Sequence, residues 1–506
     1  MSREFVLGVD HGTGGCKVTC LRSDGKVVSE AYAPYHSFYP QERWVEQDPD
    51  HWIESAVKAC QEVLSKFTAD ERKKVKGIGF SAPHHVAVLL NKNEQVIRNP
   101  IMWNDQRSGD ESQELSERYG ERIFELTSNA PTPTWTLCHL RWIQKNEPKA
   151  FQNIRHILLM KDYVRYRFGG EMATDYIEAE GTLLYNINKQ EWSEELCGLI
   201  SLNSDVLPNI CDPMEQSGEL IPEMAEALNL PPGIPIIIGV PDTAAEIYGS
   251  GVVSEKSGLV KLATAGNFSI STQNKVRNSK ITTYHHVINN LYYQNSATNF
   301  AASSYRWFKE GFLKETEGDA SHDSVYNIMN KKMEYISPGS EGLIFHPYLN
   351  GERSPHWDPY LKGSFFGITA RHSRKHFARA ILEGVGYSIR DASDEFPFDV
   401  NSPLKIIGGG SKGELWVQIM ANIMNNEMEV PQNSDSSFGT CLIVATSVGW
   451  FECLKEATEN AQKIVYRATP KKDAVNKYNE LFEIYREFYN NTKDLSHKLT
   501  NIQERI

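Results

Sequence analysis

The chain has 506 residues, more than one hydrophobic core accommodates and enough for two large domains. Its 40% apolar and 23% charged residues are ordinary for a globular protein. A formal net charge of -12 argues against a general binder of nucleic acid or membrane surface, which needs a basic face, but leaves room for a small anionic ligand held by local donors.

The N-terminal "MSREFVLGVD" holds one strand-length apolar run instead of a signal-peptide core. No window approaches the roughly 18 apolar residues of a membrane helix. The eight cysteines form no C-x-x-C pair, so neither a zinc site nor a disulfide framework is indicated, and a cytoplasmic protein is expected. The first predicted strand, "FVLGVD", ends at Asp10 and gives way to Gly12, Thr13, Gly14 and Gly15. This turn matches neither G-x-x-x-x-G-K-[ST] nor G-x-G-x-x-G, because a strand and not a helix follows it. Its run of backbone N–H groups with little side-chain obstruction could form an anion nest, or be a plain hairpin turn.

"KVTCLRSDGKVVSEAYAPY" predicts two further strands joined at Asp24-Gly25, with Cys16 and Cys20 on one strand face as small core residues. "DPDHWIESAVKACQEVLSKF" predicts a helix capped near Asp48 or Asp50, and "VKGIGFSA" a strand leading to His84-His85. Adjacent histidines on a strand face opposite ways, so at most one of the two is expected to point inward. "WNDQR" (Trp103, Asn104, Asp105 and beyond) combines an aromatic platform with polar groups suited to a polyhydroxylated ligand; a solvated loop is the plainer alternative. "GIPIIIGVPD" predicts a buried strand ending at Asp242.

A shift of 251 residues lays "GTGGCKVT" on "ATAGNFSI", matching Thr13 to Thr264 and Gly15 to Gly266. Two similar half-molecules are therefore expected, spanning 1–250 and 251–506, with a boundary near 249–258. Asp10 and Asp242 each follow an apolar run, as ligand-binding groups at the carboxyl edge of an α/β sheet do. A carboxylate beside a phosphate nest calls for a bridging Mg²⁺. "IIGGGSKGELWVQIMANIM" reads as strand, glycine turn and helix, either a tight turn or a nucleotide site.

From residue 363, "GSFFGITARHSRKHFARAILEG" resembles the C-terminal signature of the FGGY carbohydrate kinases. "DHGTGG", "WNDQR", "GVPDTAAEIYGSG", "NGERSPHWDP" and "GGGSKGELW" follow in that family's order, and are most similar to the xylulokinases. Three places depart from the pattern: "HHVA" stands where a Met-His-Gly-Ala stretch is usual, His139 where a lysine is usual, and "ATAG" in the second turn. The resemblance implies two actin-like, ribonuclease-H-like domains closing over ATP and a sugar. It implies Asp242 as catalytic base and Asp10 as the metal-side carboxylate. Thr13, Gly14, Gly15 and Lys17 would touch phosphate in one turn, and Thr264 and Gly266 in the other. Gly409, Gly410 and Glu414 would lie by the nucleoside, and His84, His85, Trp103, Asn104, Asp105 and Asp242 by the substrate. The implied reaction is ATP- and Mg²⁺-dependent phosphorylation of a terminal hydroxyl, of D-xylulose first, with ribulose, a hexulose, gluconate, erythritol or glycerol as alternatives. An actin-like ATPase without sugar transfer is the rival class. Sugar and ATP are the expected partners, with no nucleic acid and no membrane; oligomeric state is open, a homodimer included.

Overall fold

The computed structural model describes residues 3–313, 322–400 and 403–503. The chain divides into two compact units. One comprises Met1–Val253, Gln273–Tyr293 and Asn433–Lys463; the other comprises Ser254–Thr272, Gln294–Gln432 and Ile464–Ile506.

The first unit is built on strands β1 (Phe5–His11), β2 (Gly15–Arg22), β3 (Val27–Pro34), β4 (Val75–Ser81), β5 (Gln216–Glu219) and β6 (Pro235–Ile237), in the order β5-β6-β4-β1-β2-β3. β1, β2 and β3 form an antiparallel meander, whereas β4 runs parallel to β1 and to β6. Helix α1 (Pro49–Ser65) covers one face, started by Asp48, whose carboxylate accepts the Asp50 amide at 2.9 Å. Cys16 and Cys20 are fully buried in this core, as their spacing suggests.

The other face is sealed by a helix from far along the chain, Ser436–Ser447 (α4 below), which also packs on α2 (Asp242–Gly249). The approach leaves no room for side chains: a Cβ on Gly8 would fall 2.1 Å from the Ser437 carbonyl oxygen, and one on Gly439 only 1.9 Å from that of Ala245. The predicted strand through Asp242 is shorter than the apolar run. Pairing stops at Ile237, because Gly239 turns to φ 74° and Pro241 removes a donor, so Asp242 opens α2 instead.

In the second unit, β7 (Gly258–Leu262), β8 (Gly266–Thr272), β9 (Tyr292–Thr298), β10 (Leu404–Ile407), β11 (Met428–Pro431) and β12 (Ile464–Ala468) lie in the order β9-β8-β7-β10-β11-β12. β7 is antiparallel to β8 and parallel to β10, β10 is parallel to β11, and β12 closes antiparallel. Read from β3 to β5, the first sheet follows the same plan. The 251-residue repeat is therefore architectural: each half starts on an equivalent hairpin within a mixed α/β sheet, the actin-like plan.

The two hairpins differ by one residue. In the first, Asp10 pairs with Lys17 and His11 with Cys16, leaving residues 12–15 as the turn. In the second, Lys261 pairs with Asn267 and Leu262 with Gly266, leaving residues 263–265. Lys261 occupies the strand position that Asp10 holds in the first copy. The helix α3 (Glu414–Met424) follows β10 and a short 3₁₀ turn at Gly409–Lys412.

Candidate active site

The first turn is pinned by its carbonyls. The Tyr35 hydroxyl donates to the Gly12 oxygen, Gln47 Nε2 to Thr13 at 2.8 Å, the Tyr35 amide to Gly14 at 3.2 Å, and the Gly12 amide to Gly15 at 2.9 Å. With its oxygens held inward, the turn keeps the amides of Thr13 and Gly14 without a hydrogen-bond acceptor among the described residues. That is the arrangement of an anion nest, and it favours the nest over the plain hairpin. Gly15 is forced by space, since a Cβ there would meet the Tyr32 ring at 2.5 Å. The second turn repeats the device. Ala302 N donates to the Ala263 oxygen at 2.7 Å, and Ala301 N and Ser303 Oγ donate to the Thr264 oxygen at 3.0 and 2.6 Å, with the Thr264 side chain exposed. Gly266 is buried under Thr298.

Lys17 extends from β2 to Glu30 at 2.7 Å and Asp435 at 2.8 Å, so its ammonium is engaged by two carboxylates of its own unit. Asp435 in turn caps α4 by accepting the Phe438 amide. Gly410 lies buried against Leu262, whereas Gly409 and Glu414 are exposed, at the end of β10 and the start of α3.

Asp10, near the end of β1, accepts the Ser81 hydroxyl at 2.7 Å. Burial, and then the charges of Asp242, Asp435 and Glu246, raise its proton affinity well above the carboxylate norm despite that bond. Asp242 is half-buried at the first position of α2, its amide bonded to the Ala82 oxygen at 2.9 Å and its Oδ1 accepting the Thr243 amide at 2.5 Å. Its charge acts on Asp10 and Tyr35, and also on Glu178, Tyr284 and Tyr293. Asp242 thus joins the turn region to a second polar cluster.

That cluster contains both histidines of the predicted pair. They sit in a turn after β4, not on it, and His85 has φ 77°, so their rings lie 5.4 Å apart instead of on opposite faces. His84 Nε2 is 3.0 Å from the Tyr293 hydroxyl, and its ring stacks on Tyr284 at 4.7 Å. His85 Nδ1 lies 2.5 Å from the Gly181 oxygen, and its ring meets the edge of Trp135. Burial keeps both neutral, His84 well below its ordinary range and His85 at about 4. His139 is also buried, with burial lowering it to about 3.

The "WNDQR" segment divides by role. Trp103 Nε1 donates to the Thr13 hydroxyl at 3.2 Å, linking it to the first turn. Asn104 is exposed. Asp105 is fully buried and committed internally, accepting from the Val45 amide at 2.5 Å and from the Arg107 guanidinium at 2.8–3.0 Å. Arg107 also holds Glu46 and lies over the Trp44 ring.

Two family models match, the FGGY carbohydrate kinase N-terminal domain over residues 5–249 and its C-terminal domain over residues 264–446. A xylulose kinase of Lactococcus lactis is 32% identical over 99% of both chains. The chain belongs to the FGGY family of carbohydrate kinases. A gluconokinase of Bacillus subtilis is 25% identical, covering 99% of this chain and 98% of its own. A crystal structure described as a xyloylose kinase from Brucella ovis superposes with a TM-score of 0.88 at 27% identity, over 97% of this chain and all of the other. Membership makes this an ATP-dependent sugar kinase, so the pinned turns and the carboxylate between two polar clusters belong to a phosphotransferase of the FGGY type.

Among the described residues no group of three or more His, Cys, Asp or Glu side chains forms a ready metal cage. Mg²⁺ needs none, since it takes one or two carboxylates and completes its shell with water and phosphate oxygens. Asp10 fits that demand: one oxygen is held by Ser81, and the field of neighbouring carboxylates is one a cation would relieve. The sequence reading passed over Glu178, Tyr284 and Tyr293. The only hint of Glu178 was two glutamates close together in "YIEAEG", an otherwise apolar stretch.

Proposed function

We propose that this kinase phosphorylates the terminal hydroxyl of a ketopentose, D-xylulose first, with Asp242 as general base. The observation that carries the reading is the position of Asp242 at the start of α2, with its amide on the Ala82 oxygen two residues before His84 and its charge acting on both Asp10 and Glu178. The nearly full-length match to a xylulose kinase supports the choice of sugar.

The amides of Thr13 and Gly14 are assigned to phosphate in the first unit, and the turn at Thr264 and Gly266 is assigned to phosphate in the second. Gly409, Gly410 and Glu414 are assigned to the nucleoside. Mg²⁺ held by Asp10 would offset phosphate charge. Asp242 takes the proton from the acceptor hydroxyl as its oxygen bonds to the γ-phosphorus and ADP leaves. His84 and His85, both neutral, orient the sugar without adding charge. Phosphoryl transfer leaves a protein mainly positioning and electrostatic work, which suits so many braced groups.

An ADP-release screen across D-xylulose, ribulose, hexuloses, gluconate, erythritol and glycerol should give the highest kcat/KM for D-xylulose. A higher value for gluconate, the substrate named by one relative, would overturn the sugar assignment. Asp242→Asn should lower kcat by about 10²–10⁴. Near-normal turnover in that variant removes Asp242 as the base.

A further inference from the structure

A buried carboxyl group on which the Asp242 charge acts is left unused by the reaction described above. Glu178 sits on the short helix Tyr176–Glu180, which Asp175 caps by accepting the amides of Ile177 and Glu178 at 2.9 and 3.1 Å. Its side chain is 0% exposed, and neither carboxyl oxygen has a hydrogen-bond partner among the described residues. A carboxyl group stripped of water without a partner is costly, so its retention calls for a role.

The neighbour that answers it is His84. Glu178 Oε1 lies 3.7 Å from His84 Nδ1, which has no hydrogen-bond partner among the described residues either, while His84 Nε2 is 3.0 Å from the Tyr293 hydroxyl. Gly181 backs the ring so closely that a Cβ there would fall 2.5 Å from Nδ1. Lys161 does not compete for Glu178, being held by Asp162 at 2.5 Å and Asp175 at 3.1 Å.

We propose that Glu178 is a positioning residue for the phosphoryl acceptor: its carboxyl group stands 3.7 Å from His84 Nδ1, and acceptor binding draws the two into contact so that Glu178, His84 and Tyr293 become one directed hydrogen-bond chain. The inference rests on the reading that the His84 side of Asp242 receives the sugar. The charges around the chain favour one direction. Burial, with Asp162, Asp175 and Asp242, raises the proton affinity of Glu178 well above the carboxylate norm against the pull of Lys161; burial, His85 and Lys161 lower that of His84 well below the imidazole norm. Glu178 then donates to Nδ1, Nε2–H donates to the Tyr293 oxygen, and the Tyr293 O–H is left to donate onward.

The test is steady-state kinetics with acceptor and ATP varied separately, beside thermal melts. Glu178→Ala should raise the acceptor KM about tenfold with the ATP KM unchanged, the effect of one lost buried hydrogen bond. Glu178→Gln, whose amide can still donate to Nδ1, should stay within about threefold of the native value. Tyr293→Phe, which opens no cavity, should raise the acceptor KM as well and decides the matter if Glu178→Ala does not fold. A native acceptor KM in Tyr293→Phe and in folded Glu178→Ala, whatever the melting temperatures, overturns the proposal. Absence of xylulose phosphorylation by the native enzyme would count against the sugar assignment instead, and the same variants would then be measured on the acceptor found in the screen.

Discussion

Thr13 is held by two side chains from outside its hairpin, Gln47 on its carbonyl and Trp103 on its hydroxyl. Trp103→Phe keeps the ring and removes only the N–H. Losing one neutral hydrogen bond should lower kcat/KM for ATP about 2- to 10-fold. A change confined to the acceptor KM would instead make Trp103 a sugar contact, as its neighbours in "WNDQR" suggested. Single residues were legible where their environment is local: Cys16 and Cys20 from alternation, Asp48 from its place before a helix. Asp105 was not, because its partners include a backbone amide 60 positions away at Val45. Residue type shows that a carboxylate can bind a ligand, but not that Arg107 has already claimed it.

Helix α4 shows what elements conceal. "SSFGTCLIVATS" is buried on nearly every side, so it carries no polar stripe by which periodicity could orient it. What fixes it is the absence of side chains at its contacts. Gly439→Ala would press a methyl group into the Ala245 carbonyl, and overpacking of this kind should cost about 1–3 kcal/mol in urea unfolding. Gly198→Ala, with open space around it, is the control and should stay within about 0.5 kcal/mol of native. The segment ending at Asp242 was misread for a related reason. Apolar composition marks burial, whereas strand pairing also needs a backbone that stays extended, and Gly239 leaves that region.

At the scale of the molecule, the duplication was visible as two matched residues in an eight-residue window, since only the turn demands particular residue types. The return of Asn433–Lys463 to the first unit had no sequence signal, because nothing in a local pattern records which sheet a helix will cover. Residues 1–253 alone would therefore leave β1, β2 and β4 uncovered where α4 packs. Such a fragment should bind ANS, show weak near-UV dichroism and unfold without a sharp transition. Cooperative unfolding of the fragment would show that the sheet does not need its late partner.

The two hairpins, alike in path but one residue apart in register, also differ in sign, with Asp10 in one copy and Lys261 at the matching strand position in the other. The turns are therefore not interchangeable parts: grafting one hairpin onto the other would bring a carboxylate where the chain has an ammonium, and shift the opposing strand by one residue as well.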